Sequence, residues 1–72
     1  MRTINENTFY ILFVSSISDE YVIKEIPVNE LNGDRYVHAP KFGKWVIYGE
    51  GKGQFGWDII QGWLSRNMAL FI

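Results

Sequence analysis

The chain contains no cysteine. Disulfide frameworks and thiolate metal sites are therefore impossible. Small secreted domains commonly rely on disulfides, so this absence points to a reducing compartment. Histidine occurs once, at position 38, which leaves a transition-metal site short of its usual nitrogen and sulfur ligands. Neither sign of charge dominates: seven Lys and Arg stand against eight Asp and Glu, a net charge of −1. No global field draws such a chain to nucleic acid or membrane. Long apolar runs are also missing. Phe9 to Val14 and Met68 to Ile72 are the longest, against about 7–15 residues for a signal-peptide core and about 20 for a membrane span. The opening Met1-Arg2-Thr3-Ile4-Asn5-Glu6-Asn7 holds one base followed by polar residues and an acid, a poor start for a signal peptide. A cytoplasmic protein with no membrane association is expected.

What is present is a short chain rich in rings. The 72 residues make a single domain, 1–72, in which the polar lead-in 1–7 is free to fray. A hydrophobic share of 47% argues against disorder. A domain this small hides only about 60% of the surface its unfolded chain exposes. Five Phe, four Tyr and three Trp offset this, because each ring buries a large area.

Local patterning predicts strands, then a helix. Thr8 to Ser15 reads TFYILFVS, apolar on both alternating faces and rich in strand-forming residues. After the polar Ser16-Ile17-Ser18-Asp19, Glu20 to Ile26 reads as a second strand, which Pro27 ends or bends. Asn32-Gly33-Asp34 is a strong hairpin signal, since Asn and Gly tolerate positive φ. It predicts a returning strand over Arg35 to Ala39. Pro40-Lys41-Phe42-Gly43 then turns the chain into a fourth strand, Lys44 to Gly49. Beyond the glycine cluster at 49–56, Trp57, Ile60 and Leu64 recur at helical spacing, giving an amphipathic helix of about three turns. Asp58 and Arg66 suit its dipole, Gly62 offers close approach to the sheet, and Asn67 is a candidate left-handed cap. Met68 to Ile72 reads as a fifth strand or extended tail, with a continuing helix as the alternative.

The chemical motifs are weak. Gly51-Lys52-Gly53-Gln54-Phe55-Gly56 spells GxGxxG between a strand and a helix. A dinucleotide unit also needs a second parallel strand and an acid about 20 residues on, and neither follows. The cluster reads instead as a flexible strand-to-helix connection. No nucleophile elbow surrounds Ser15, Ser16, Ser18 or Ser65, and paired carboxylates need a two-walled cleft that a domain of this size rarely supplies. A non-enzyme without cofactor or metal is expected.

Charge is unevenly spread: residues 1–34 hold Arg2 and Lys24 against six acids, net −4, and residues 35–72 hold five bases against Glu50 and Asp58, net +3. The basic half also carries Tyr36, Phe42, Trp45, Tyr48, Phe55 and Trp57. Bases interleaved with rings over 35–57 can stack nucleobases and hold phosphates.

The pattern as a whole predicts an α+β domain: an antiparallel meander of four to five strands with one C-terminal helix packed on it. An SH3-like, partly open barrel is the runner-up. One helix covers one sheet face, yet the strands are apolar on both. The uncovered face is then an interaction surface, for another protein or for a second copy in a homodimer. The expected function is a non-catalytic protein-binding module, a regulator or inhibitor of the kind found among phage-type and accessory bacterial proteins. Its expected contacts are Tyr36, Lys41, Phe42, Lys44, Trp45 and Tyr48, since Trp and Tyr dominate binding hot spots. Single-stranded nucleic-acid binding by the basic, aromatic stretch 35–57 is the alternative.

Overall fold

A computed structural model describes residues 3–67; the predicted strand or helix over 68–72 lies outside them. The fold is α+β, with three antiparallel strands and one helix. Strand β1 (Thr8–Ser15), β2 (Tyr21–Pro27) and β3 (Trp45–Lys52) are followed directly by α1 (Gly53–Asn67). The sheet order is β2-β1-β3, with β1 antiparallel to both neighbours. Among the described residues it is an open sheet with two edges. The expected four or five strands, the simple meander and the barrel are thereby corrected.

The missing strand is the one read into Arg35 to Ala39. Residues 35–38 form a 3-10 turn, and a second such turn occupies Val28–Glu30. The Asp34 carboxylate accepts a hydrogen bond from the Tyr36 amide at 2.9 Å. An Asp side chain that satisfies the backbone locally favours a cap over a sheet ladder. Gly33 does not take the positive φ that a tight hairpin needs; among the described residues only Gly43 and Gly53 do.

Strand β1 is walled on both faces. Tyr10, Leu12 and Val14 pack with Ile60 and Leu64 of α1, while Ile11 and Phe13 pack with Ile26 on the opposite side. The second side is roofed by the connection 28–44, from which Leu31 and Ala39 join the core, together with Trp45 and Ile47 of β3. The molecule thus has three layers: helix, sheet and an irregular cover. The apolarity of both strand faces is answered within the chain, and the expectation that one whole face stays bare is corrected. Arg35 fastens the cover. It forms an ion pair with Glu50 at 3.2 Å, donates to the Gly33 carbonyl at 2.8 Å and lies 5.1 Å from the Phe9 ring centre.

The glycine cluster is structural and has no loop in it: β3 turns straight into α1 at Gly53, whose φ is +60°. Gly51 and Gly56 are in backbone contact across that turn, and a Cβ on Gly56 would collide with the Gly51 carbonyl. Residues 4–7 are tied in. Ile4 packs against the helix-side core, the Asn7 carbonyl accepts from the Val28 amide at 2.9 Å, and the Glu6 carboxylate accepts from the Gln54 amide at 2.9 Å. Glu6 therefore supplies the negative charge that the α1 N-terminus favours, while Asp58 accepts from the Gln54 side chain instead. At the other end, the Asn67 side chain donates to the Trp63 carbonyl at 2.8 Å. Asn67 does not take the left-handed backbone expected of a cap.

Gly62 does not face the sheet, contrary to expectation; a Cβ there would meet only the Arg66 guanidinium, at 3.6 Å. Gly62→Ala is expected to stabilise the domain by about 1 kcal/mol through lower chain entropy and better helix propensity. Gly56→Ala is expected to destabilise it by about 1–3 kcal/mol through overpacking. Urea denaturation of the two variants measures both signs.

Candidate docking surface

The six residues expected to contact a partner separate into three groups. Tyr36, Lys41, Phe42 and Lys44 belong to the covering segment and are exposed. Trp45 is half-buried against the core beneath the cover. Tyr48 lies toward the opposite layer, its ring 5.1 Å from that of Trp63 on α1. Strand alternation explains the last placement: Trp45 and Ile47 face the cover, so Tyr48 faces α1. A β-bulge follows, since Leu12 pairs with Gly49 and Phe13 with Ile47, and it re-aims the residues from Gly49 onward.

The cover is held from several directions. Tyr36 lays its ring edge-on to Phe13, centres 6.3 Å apart, and remains 50% exposed. The Trp45 indole N–H donates to the Phe42 carbonyl at 2.9 Å. Gly43, at φ +110°, sits under that indole, where a Cβ would come within 2.9 Å of the ring nitrogen. The Lys44 carbonyl accepts from the Ser16 amide at 2.8 Å and from the Ser16 hydroxyl at 3.2 Å. The turn 40–43 is therefore braced on its C-terminal side, and the Phe42 side chain is 87% exposed between two exposed lysines.

Val37, 70% exposed, extends this apolar face, and Ile17 is bare on the adjacent β1–β2 loop. The sequence reading passed over both. Val37 was read into a strand, where alternation would bury every second residue, but a 3-10 turn leaves both Tyr36 and Val37 outward. Ile17 sits in polar punctuation that carries no periodic signal.

Other chemistries find little support in the geometry. Glu6 occupies the helix N-terminus where a dinucleotide fold would bring phosphate, and Lys52 is in register with Phe9 on the face away from α1. His38 is half-buried, with its Nε2 buried and unpartnered, and lines an open groove of about 460 Å³ with Lys24, Ile26, Pro27, Glu30 and Lys41. Among the described residues no three of His, Asp and Glu gather as a metal-ligand set, and no helix is long and apolar enough to cross a membrane. Comparison with family models, curated proteins and solved structures returns no match.

Trp45 thus acts as a brace beneath the candidate surface. Trp45→Ala is expected to lower stability by about 1–3 kcal/mol, below the 3–5 kcal/mol typical of a fully buried ring. It is also expected to speed amide exchange across residues 41–44. An unchanged melting curve and exchange pattern would return Trp45 to the list of direct contacts.

Proposed function

We propose that this chain is a non-catalytic protein-binding module, a regulator or inhibitor of a larger protein, that docks through the exposed face of its covering segment. The supporting observation is Phe42. An aromatic ring left in water has no role in the fold, yet the turn that carries it is fixed by the Trp45 and Ser16 hydrogen bonds. A pre-ordered aromatic loses little conformational freedom when it enters a partner's pocket. Val37 and Tyr36 widen the apolar contact, and Lys41 and Lys44 favour a partner with acidic residues around that pocket.

Single-stranded nucleic-acid binding has less support. The rings of the basic half do not share one platform: Tyr36 and Phe42 lie on the cover, Tyr48 is on the helix side, and Trp57 stands edge-on to Tyr10 within the core, centres 5.5 Å apart.

Phe42→Ala tests the proposal. The melting temperature is expected to hold, since exposed positions usually change stability by no more than about 0.5 kcal/mol. Capture of a partner from the native host is expected to weaken by at least about tenfold, as a hot-spot ring requires. Equal capture by the variant and the parent would reject this surface. Retention on mixed oligonucleotides that fades as salt rises would reassign it to phosphate binding.

A further inference from the structure

We infer that Asn32 is a site of spontaneous deamidation, with the Gly33 amide as its nucleophile, and that the isoaspartyl product unfastens the cover at Arg35. The reaction needs only water. It is independent of docking through Phe42, so either reading can fail without the other.

The step balances without a catalyst. The Gly33 nitrogen attacks Cγ of Asn32 and gives up its proton, and Nδ2 leaves as ammonia. A cyclic imide results, in which the Gly33 nitrogen is bonded both to Cγ and to the main-chain carbonyl carbon of residue 32. Water then opens the ring. Breaking the bond to Cγ gives aspartate in an ordinary backbone. Breaking the bond to the carbonyl carbon gives isoaspartate, in which the main chain runs through the former side chain. The sum is asparagine plus water giving the acid plus ammonia, a covalent change to both charge and backbone.

The attack needs an uncrowded amide, a side chain free to meet it and a backbone able to rotate into the ring, which glycine allows best. Asn32 and Gly33 meet these needs. Both are exposed and lie outside helix and strand. Open space surrounds Gly33, where an added Cβ would meet nothing within 4 Å. Among the described residues, neither the Asn32 side chain nor the Gly33 amide makes a hydrogen bond. The other asparagines differ. Each precedes a residue with a side chain: Glu6, Thr8, Glu30 or Met68. The Asn5 side chain accepts from the Asn7 amide at 2.8 Å, and the Thr8 amide that would attack Asn7 already donates to the Asn5 carbonyl at 3.1 Å. Asn29 is held within a 3-10 turn, and the Asn67 side chain is bound to the Trp63 carbonyl.

The consequence falls on the clasp of the cover. The Gly33 carbonyl accepts from Arg35 at 2.8 Å, and the same guanidinium pairs with Glu50 of β3 at 3.2 Å. Isoaspartate lengthens the main chain just ahead of Gly33 and so displaces that carbonyl. The cover then opens locally more often around Asp34 to His38.

The purified chain, held in mildly alkaline buffer and mapped by proteolysis and mass spectrometry, tests the site. Asn32 is expected to convert first, with Asn5 and Asn29 as internal controls. Gly33→Ala is expected to slow the conversion at least about tenfold by crowding the nucleophile. Gly33 does not need a positive φ, so the variant is expected to fold; should circular dichroism show otherwise, the internal controls still decide. The isoaspartyl chain, separated by ion exchange, is expected to exchange amides over residues 34–38 faster than the parent. Asn32→Asp, which keeps the ordinary backbone, is expected to match the parent. Survival of Asn32 for as long as Asn5 and Asn29, or equal conversion in a folded Gly33→Ala, overturns the assigned site. Equal exchange in the isoaspartyl and parent chains overturns the unfastening at Arg35.

Discussion

Burial of β1 on both faces is the constraint to which every other element answers. Five consecutive residues, Tyr10 to Val14, are withdrawn from water, and each alternate set needs its own apolar wall. The helix supplies one wall. Among the described residues no second α-helix supplies the other, so the chain uses the 28–44 connection, which crosses the sheet on its way from β2 to β3. Irregular backbone rarely serves as a core layer because its polar groups must be satisfied. Here two 3-10 turns, the Asp34 cap and the Arg35 contacts satisfy part of that need, while Leu31 and Ala39 of the segment reach inward to the buried cluster and Tyr36 meets it edge-on at Phe13.

A roof made of turns has consequences for the surface. A helix or strand hides its apolar side chains by periodicity. A 3-10 turn of four residues cannot do so, and Tyr36 and Val37 remain outside. The candidate docking face therefore follows from the way the second core is closed. The helix side shows a related economy of shape. Gly49 and Gly51 in β3 and Gly56 in α1 remove the side chains that would hold the layers apart, so Ile60 and Leu64 reach Leu12 directly.

The elements most legible in the sequence were those with a strong period. Residues 8–15 and 21–26 lack competing local chemistry, and Trp57, Ile60 and Leu64 face the core as their spacing requires. The returning strand was misread because Asn32-Gly33 outweighed Asp34, although an Asp before a short polar-aromatic run is equally a cap. The glycine cluster was recognised as a junction, but its glycines serve interlayer contact and not flexibility. Of the candidate contacts, Phe42 and its flanking lysines could be placed on an exposed turn from Pro40 and Gly43. The role of Trp45 could not, because its hydrogen bond to the turn depends on tertiary placement. Tyr48 stands on the face opposite Trp45, as strand alternation requires, so the two could not share one contact surface.

The order in which the chain is made brings out what the two-sided burial of β1 entails. Of the regular elements β1 comes first in the chain, and its hairpin with β2 follows at once. Its two roofs come much later: the crossing segment needs β3 as an anchor, and α1 is later still, with Glu6 waiting for Gln54 to emerge. Until then the greasiest stretch of the polypeptide has no shelter of its own. Both walls of β1 are therefore in place only once α1 is complete, and until then the hairpin exposes apolar strand surface of the kind that invites aggregation.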